Sequence, residues 1–207
     1  MVPFDTFILF ATLYTTLLAG ILSTELWLSA LVSAVWIMLP AYVPNPAAVI
    51  LGGGRPIDGG AVWRDGRRLF GDGKTVRGFI LGVLAGVAVG GAELWAQNFT
   101  AVSPEWSFLP ALTTVTVCTF ALGALLGDLA KSFVKRRIGK DQGEPWPVAD
   151  QYDLVAGAFL LTALLAPGWL LGQVTLPILV WILVLTPVLH RAMNMAGHRL
   201  GVKRVPW

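Results

Sequence analysis

Apolar residues run along this chain in long blocks, and nearly every charge is collected in the short stretches between them. The blocks cover residues 26–51, 78–97 and 109–130, and a longer run over 151–190 that turns at Pro167-Gly168. Each block, and each half of the last, is near the ~20 residues that an α-helix needs to cross the hydrocarbon core. The pattern predicts an all-α polytopic integral membrane helix bundle with five core transmembrane helices. Residues 4–22 are apolar enough for an additional N-terminal helix, broken off by Ser23-Thr24-Glu25. Pro40, Pro44 and Pro46 interrupt the first core span. No linker or low-complexity segment divides the chain, so residues 1–207 read as a single integral membrane domain.

Composition agrees. The chain is 56% hydrophobic and 13% charged, with mean hydropathy +0.70, whereas soluble domains carry about 25% charged residues. The distribution of charge says more than its sum. All 15 Lys and Arg fall in three windows: 55–77, 131–140 and 191–204. Clusters of Lys and Arg in short loops mark the cytoplasmic side. The windows therefore predict cytoplasmic loops at about 52–77 and 131–150 and a cytoplasmic tail at about 191–207. This is a multi-pass cell-membrane protein with its chemistry and C-terminus on the cytoplasmic side. The first 54 residues hold no Lys or Arg, so the rule does not orient residues 4–22. The missing basic n-region argues against a cleaved signal peptide.

Several features have structural readings. Gly78, Gly82, Gly86 and Gly90 recur every four residues, a small-residue seam that lets helix backbones approach closely. Trp95, Trp106, Trp146, Trp169 and Trp207 fall near span ends, as interfacial aromatic belts do, and nothing points to nucleic acid. Cys118, the one cysteine, reads as a small buried core residue. Glu93 lies inside a span near its outer end and either reaches the interface or faces a helix partner. His190 and His198 read as interfacial or headgroup contacts.

Gly73-Lys74-Thr75 matches the end of a Walker A loop, but the first glycine of G-x-x-x-x-G-K-[ST] is Arg68 here and no strand precedes it. The loop can still bind phosphate. Gly71, Gly73 and Gly78 admit close approach of backbone N–H groups to anionic oxygens. Lys74 and Arg77 place cations at a helix N-terminus, where anions are favoured. Farther on, Asp128, Lys131, Ser132 and Lys135 share one helical face, and an aspartate embedded in a membrane segment is a functional candidate. Asp150 and Asp153, at i and i+3, open the next span. Paired carboxylates there repel each other unless a cation intervenes, and Mg2+ suits an oxygen donor set completed by phosphate. The candidate metal ligands are Asp128, Asp150 and Asp153.

These stretches resemble the phosphatidate cytidylyltransferase superfamily, most closely its CDP-archaeol synthase branch. The residues that carry the resemblance are LPAYVPNPAAVILGGGRPIDGG, DGRRLFGDGKTVRG and GDLAKSFVKRRIGKDQGEPWPVADQYDLVAG. The family's S-x-x-K-R…K-D…D-x-x-D signature reads here as Ser132, Lys135, Arg136, Lys140-Asp141, Asp150 and Asp153. The bacterial proline-glycine-histidine-glycine-glycine segment is replaced by Trp146-Pro147-Val148-Ala149, which points to the archaeal branch. The resemblance implies that CTP and an archaeal ether lipid phosphate, of the 2,3-bis-O-(geranylgeranyl)-sn-glycerol 1-phosphate type, give CDP-archaeol and pyrophosphate for phospholipid biosynthesis. It implies a catalytic set of Asp128, Lys131, Lys135, Asp150 and Asp153. Gly73, Lys74, Thr75, Arg77, Ser132, Arg136 and Lys140 are then the CTP and phosphate ligands, with Mg2+ as cofactor and membrane lipids as surroundings. Asp58 and Asp72 are weaker candidates for orienting the cations. The alternative is a small membrane transporter or channel for an anionic phosphorylated solute. Lipid chain selectivity, the basis of cytosine selectivity and oligomeric state are not legible in the sequence.

Overall fold

The computed structural model describes residues 9, 12–16, 19–20 and 23–201. The expectation for residues 4–22 lies largely outside the described residues, as do Lys203, Arg204 and Trp207. Seven helices form the described bundle: α1 (Thr24–Tyr42), α2 (Pro44–Leu51), α3 (Val76–Thr100), α4 (Thr114–Arg137), α5 (Ala149–Leu165), α6 (Pro167–Gln173) and α7 (Leu176–Arg199). A 3-10 turn, Pro104–Trp106, links α3 to α4. Among the described residues there is no β-strand, only isolated bridges pairing Pro56 with Thr75 and Val62 with Arg68.

Local chemistry sets the helix starts. The Ser23 hydroxyl accepts from the Leu26 N–H at 3.3 Å and opens α1. Thr113 and Thr116 cap α4 reciprocally through a capping box. Pro44, Pro167 and Pro177 occupy the first turns of α2, α6 and α7, where a missing N–H costs nothing. By length and composition α1 with α2 (Thr24–Leu51), α3, α4 and α7 can each cross a bilayer. The α5–α6 pair, bent by 119°, is apolar enough to count as a fifth if the two helices form one broken span. Four of the five core spans expected from the apolar blocks are therefore present as single helices or helix pairs, and the expected span after residue 151 is this bent pair.

Three boundaries differ. The α4 helix continues to Arg137, so residues 131–137 belong to its last turns and not to a loop. The α7 helix runs to Arg199, which makes 191–199 helical and not tail. Pro167-Gly168 opens the short helix α6 and is not a bare turn. In α4 and α7 backbone hydrogen bonding extends the helix past the point where apolar residues stop.

Packing centres on α4, which lies against α5, α3 and α1. Phe120, Ala121 and Ala124 of α4 are fully buried, as are Ile37 and Met38 of α1, Ala158 of α5 and Ile182 of α7. The glycine seam is real: Gly78, Gly82, Gly86 and Gly90 are all buried in α3. A Cβ at Gly82 would stand 2.7 Å from the Pro44 carbonyl oxygen, and one at Gly86 2.6 Å from that of Pro40. A tighter crossing joins α4 and α5 at Gly123, Gly127 and Gly157. A Cβ at Gly123 would lie 2.6 Å from the Gly157 carbonyl oxygen, and Gly127 abuts the Asp153 backbone. Beyond it, the Thr119 and Thr162 hydroxyls pair at 2.7 Å.

Cys118 is exposed, not buried, because α4 turns its neighbours Val117 and Thr119 inward. Glu93 is buried between helices, and neither carboxylate oxygen has a hydrogen-bond partner. Its burial places it inside the bundle.

Candidate active site

The α4–α5 crossing decides where the acidic residues meet. With no side chain on Gly127, the α4 backbone approaches α5 at Asp153, next to Asp128 in sequence. Lys131, one turn beyond Asp128, reaches across. Its Nζ lies 3.1 Å from Asp128 Oδ1, 3.3 Å from Asp150 Oδ1 and 2.6 Å from Asp153 Oδ2. Three carboxylates from two helices thus share one cation position, held by an ammonium.

Two more lysines complete the cluster. Lys74 pairs with Asp128 Oδ2, tying the loop before α3 to α4. Lys135 Nζ lies 3.2 Å from Asp150 Oδ1 and also donates to the Glu144 carbonyl. Asp150 Oδ2 accepts from the Trp146 N–H at 2.7 Å. Three lysines face three aspartates, so the cluster is neutral overall. Buried ions demand that balance, since leaving one unpaired is strongly destabilising.

The remaining predicted ligands divide. Gly73 and Thr75 line the same cavity as the cluster, but the Thr75 hydroxyl oxygen is already a cap, accepting from Gly78 N–H at 3.1 Å and Gly53 N–H at 3.2 Å. Arg77 is exposed in the first turn of α3. The Ser132 hydroxyl donates to the Asp128 carbonyl at 2.8 Å. Arg136 donates to the Lys140 carbonyl, and Lys140 pairs with Glu144 at 2.6 Å. In this arrangement Ser132, Arg136 and Lys140 brace the α4 end and the loop after it; none lines the cavity.

The loop over residues 52–75 has its own hub. The Asp58 side chain is fully buried and accepts from Gly60, Phe70 and Gly71 N–H groups at 3.0–3.1 Å and from Arg68 at 2.6 Å. Burial alone would raise this carboxyl; Arg68 and the backbone donors outweigh it and hold the group well below the usual carboxylate range. Gly71, at φ +102°, makes the turn that delivers one of those donors. Asp72 is exposed and pairs with Arg68 at 2.7 Å. Asp58 therefore orders the loop that carries Lys74 and touches no site cation.

A cavity of about 400 Å³ opens beside the cluster, within the range of small-molecule sites. One wall is the loop Gly73–Thr75 with Lys131, Lys135, Asp128, Asp150 and Asp153. The other is formed by the end of α1, by α2 and by the second half of α7, where Tyr42, Asn45, Thr186, His190 and Asn194 supply polar groups. Its rim is apolar and exposed: Val49 and Ile50 on α2, Met193 on α7, and Leu200 just beyond it. Sequence reading missed this α7 wall. Its signal was present in the four-residue spacing of Thr186, His190 and Asn194 below Ile178 and Ile182.

A family model described as CarS-like, CDP-archaeol synthase, matches residues 27–207. The CDP-archaeol synthase of Methanoculleus marisnigri is 59% identical over 170 residues, 82% of this chain and all of the relative. That of Halobacterium salinarum is 52% identical over 176 residues, 85% of this chain and 96% of the relative. A solved structure described as an intramembrane enzyme for archaeal membrane lipids biosynthesis superposes with TM-score 0.57 at 33% identity, over 84% of this chain and 95% of that one. Fold and site define a polytopic membrane enzyme with a charged cluster beside a cavity that has exposed apolar residues at its edge. The chain belongs to the CDP-archaeol synthase family, with the residues before 27 outside the family match.

Proposed function

We propose that this chain transfers the cytidylyl group of CTP to an archaeal ether lipid phosphate, releasing pyrophosphate and forming CDP-archaeol. The observation that carries this reading is the convergence of Asp128, Asp150 and Asp153 on one cation position, beside a cavity with an apolar rim, in a chain of this family. An oxygen of the lipid phosphate attacks the α-phosphorus of CTP. The bond to the bridging oxygen breaks, and its electron pair leaves with pyrophosphate. A phosphate monoester has its second pKa near ~6, so the nucleophile is already largely dianionic at neutral pH and needs no general base.

The residues act by position and charge. Lys74, on the loop before α3, and Lys135, near the end of α4, stabilise the triphosphate and the departing pyrophosphate. Gly73 offers backbone N–H, and Thr75 holds α3 and the loop in register. Ser132, Arg136 and Lys140 act by bracing the end of α4 and the loop after it, and Arg77, exposed in the first turn of α3, adds positive charge nearby.

Mg2+ prefers oxygen ligands. The three aspartates present only oxygens around a single position, where the Lys131 ammonium stands in for a cation, so the donor set fits the ion. Asp128, Asp150 and Asp153 would hold it, with phosphate oxygens completing the shell. Among the described residues no group of three or more His, Cys, Asp or Glu side chains is arranged to hold a metal ion; the Lys131 ammonium occupies the position the three carboxylates share, and an ion held there would displace it. When bound, Mg2+ screens the phosphates from the incoming anion.

The cluster lies at the end of the bundle where the cationic windows gather: Lys74 meets Asp128, and Arg137 meets Asp65 at 3.1 Å. Positive-inside charge then puts the site and the end of α7 on the cytoplasmic face. The test is pyrophosphate release by the purified protein in lipid vesicles. It should require CTP, the lipid phosphate and Mg2+ together and stop with EDTA. Pyrophosphate release without the lipid phosphate, or solute flux without pyrophosphate, would contradict the reading.

A further inference from the structure

The α7 wall carries a second recognition element, built from hydroxyl, imidazole and carboxamide groups. Ile178, Ile182, Thr186, His190 and Asn194 form a four-residue-spaced row along α7, and its character changes from apolar to polar at Thr186. Thr186 donates to the Ile182 carbonyl at 2.6 Å and meets the Tyr42 hydroxyl at 2.9 Å. One turn on, the Asn194 amide nitrogen stands 3.2 Å from Nε2 and 3.3 Å from Nδ1 of His190. Asn194 is only 4% exposed, and both residues line the same cavity as the lysine–aspartate cluster.

Geometry decides which substrate meets this wall. The apolar rim of Val49, Ile50, Met193 and Leu200 is where hydrocarbon chains can leave the cavity for the bilayer. A phosphate tied to such chains by one glycerol stays within a few atoms of that rim, whereas the free CTP triphosphate can lie against the lysine-bearing loop. Chemistry points the same way. A nucleophilic phosphate held only by lysines and a metal ion loses charge density, while additional side-chain N–H donors can orient it by hydrogen bonds. An imidazole and a carboxamide are such donors.

Resting on the cytidylyltransferase reading above, we infer that His190 and Asn194 are positioning residues for the phosphomonoester head of the lipid substrate. They hold it from the α7 side against the aspartate–lysine cluster. The pair thus reads the acceptor and not the nucleotide.

The experiment is steady-state kinetics of His190→Ala, Asn194→Ala and the donor-retaining His190→Gln in lipid vesicles, varying lipid phosphate at saturating CTP and then CTP at saturating lipid. Loss of a hydrogen bond to a charged group should raise KM for the lipid phosphate about ten- to a hundredfold in the alanine variants. KM for CTP should stay within about twofold, and His190→Gln should recover much of the loss. CTP-dependent thermal stabilisation checks that each variant is folded. An unchanged lipid KM overturns the inference, as does an equal rise in both KM values or loss of CTP-dependent stabilisation. If the wild-type chain itself releases no lipid-dependent pyrophosphate, the underlying functional reading fails instead.

Discussion

Lys131 is the residue on which the site turns. Its ammonium balances Asp128, Asp150 and Asp153 together, and removing one partner from a buried ionic cluster costs about 3–5 kcal/mol. Lys131→Met should therefore lower the melting temperature in EDTA. Because the ion and the ammonium compete for one position, millimolar Mg2+ should stabilise Lys131→Met more than wild type. Equal Mg2+ shifts in both would remove the shared position. Asp58 makes a different prediction. Its carboxyl is depressed in the folded state, so its contribution is fully present above the unfolded value of ~3.9 and fades as pH falls below it. Acidification below about pH 4 should expose the loop over residues 57–72 to hydrogen exchange before the helices open. Asp58→Asn should show that exposure already at pH 7. The spacing of Asp128, Lys131 and Lys135, and of Asp150 and Asp153, was legible from helical periodicity alone. The hub role of Lys131 was not, since a sequence carries no distance between helices. Nor was the bracing role of Ser132, Arg136 and Lys140, whose partners are carbonyls and a loop carboxylate set by the backbone path.

At the scale of elements, the α4–α5 crossing sets the separation of the carboxylates. Gly127 and Gly157 leave no room for a Cβ against the opposing backbone, and overpacking a tight core costs about 1–3 kcal/mol. Gly127→Ala should push Asp128 away from Asp153 and lower activity at least tenfold, with a modest fall in melting temperature. Wild-type turnover by that variant, measured as pyrophosphate release, would show that the crossing does not position the site. The seam on α3 could be read because its four glycines lie on one helix at one period. The crossing could not, because Gly123, Gly127 and Gly157 are divided between two helices. Helix ends were read short for a related reason. Apolar blocks report hydrocarbon thickness, while α4 and α7 carry their polar last turns into the site.

At the scale of the molecule, the bundle places a neutral cluster of six charges beside a cavity with an apolar rim, as a reaction between a soluble nucleotide and a bilayer lipid requires. Four core spans, and the bent pair that can make a fifth, were readable from hydropathy, and the side of the membrane was an inference from charge alone. The α7 wall was not readable, because neutral polar residues inside an apolar run resemble ordinary helix packing until the facing wall is known. The most direct test of the central claim is Asp153→Asn assayed in lipid vesicles with CTP, lipid phosphate and Mg2+. The charge is lost while the shape is kept, so the protein should insert and fold as wild type yet release pyrophosphate at least a hundredfold more slowly. Wild-type turnover by the folded variant would contradict the claim that the converging carboxylates carry the reaction.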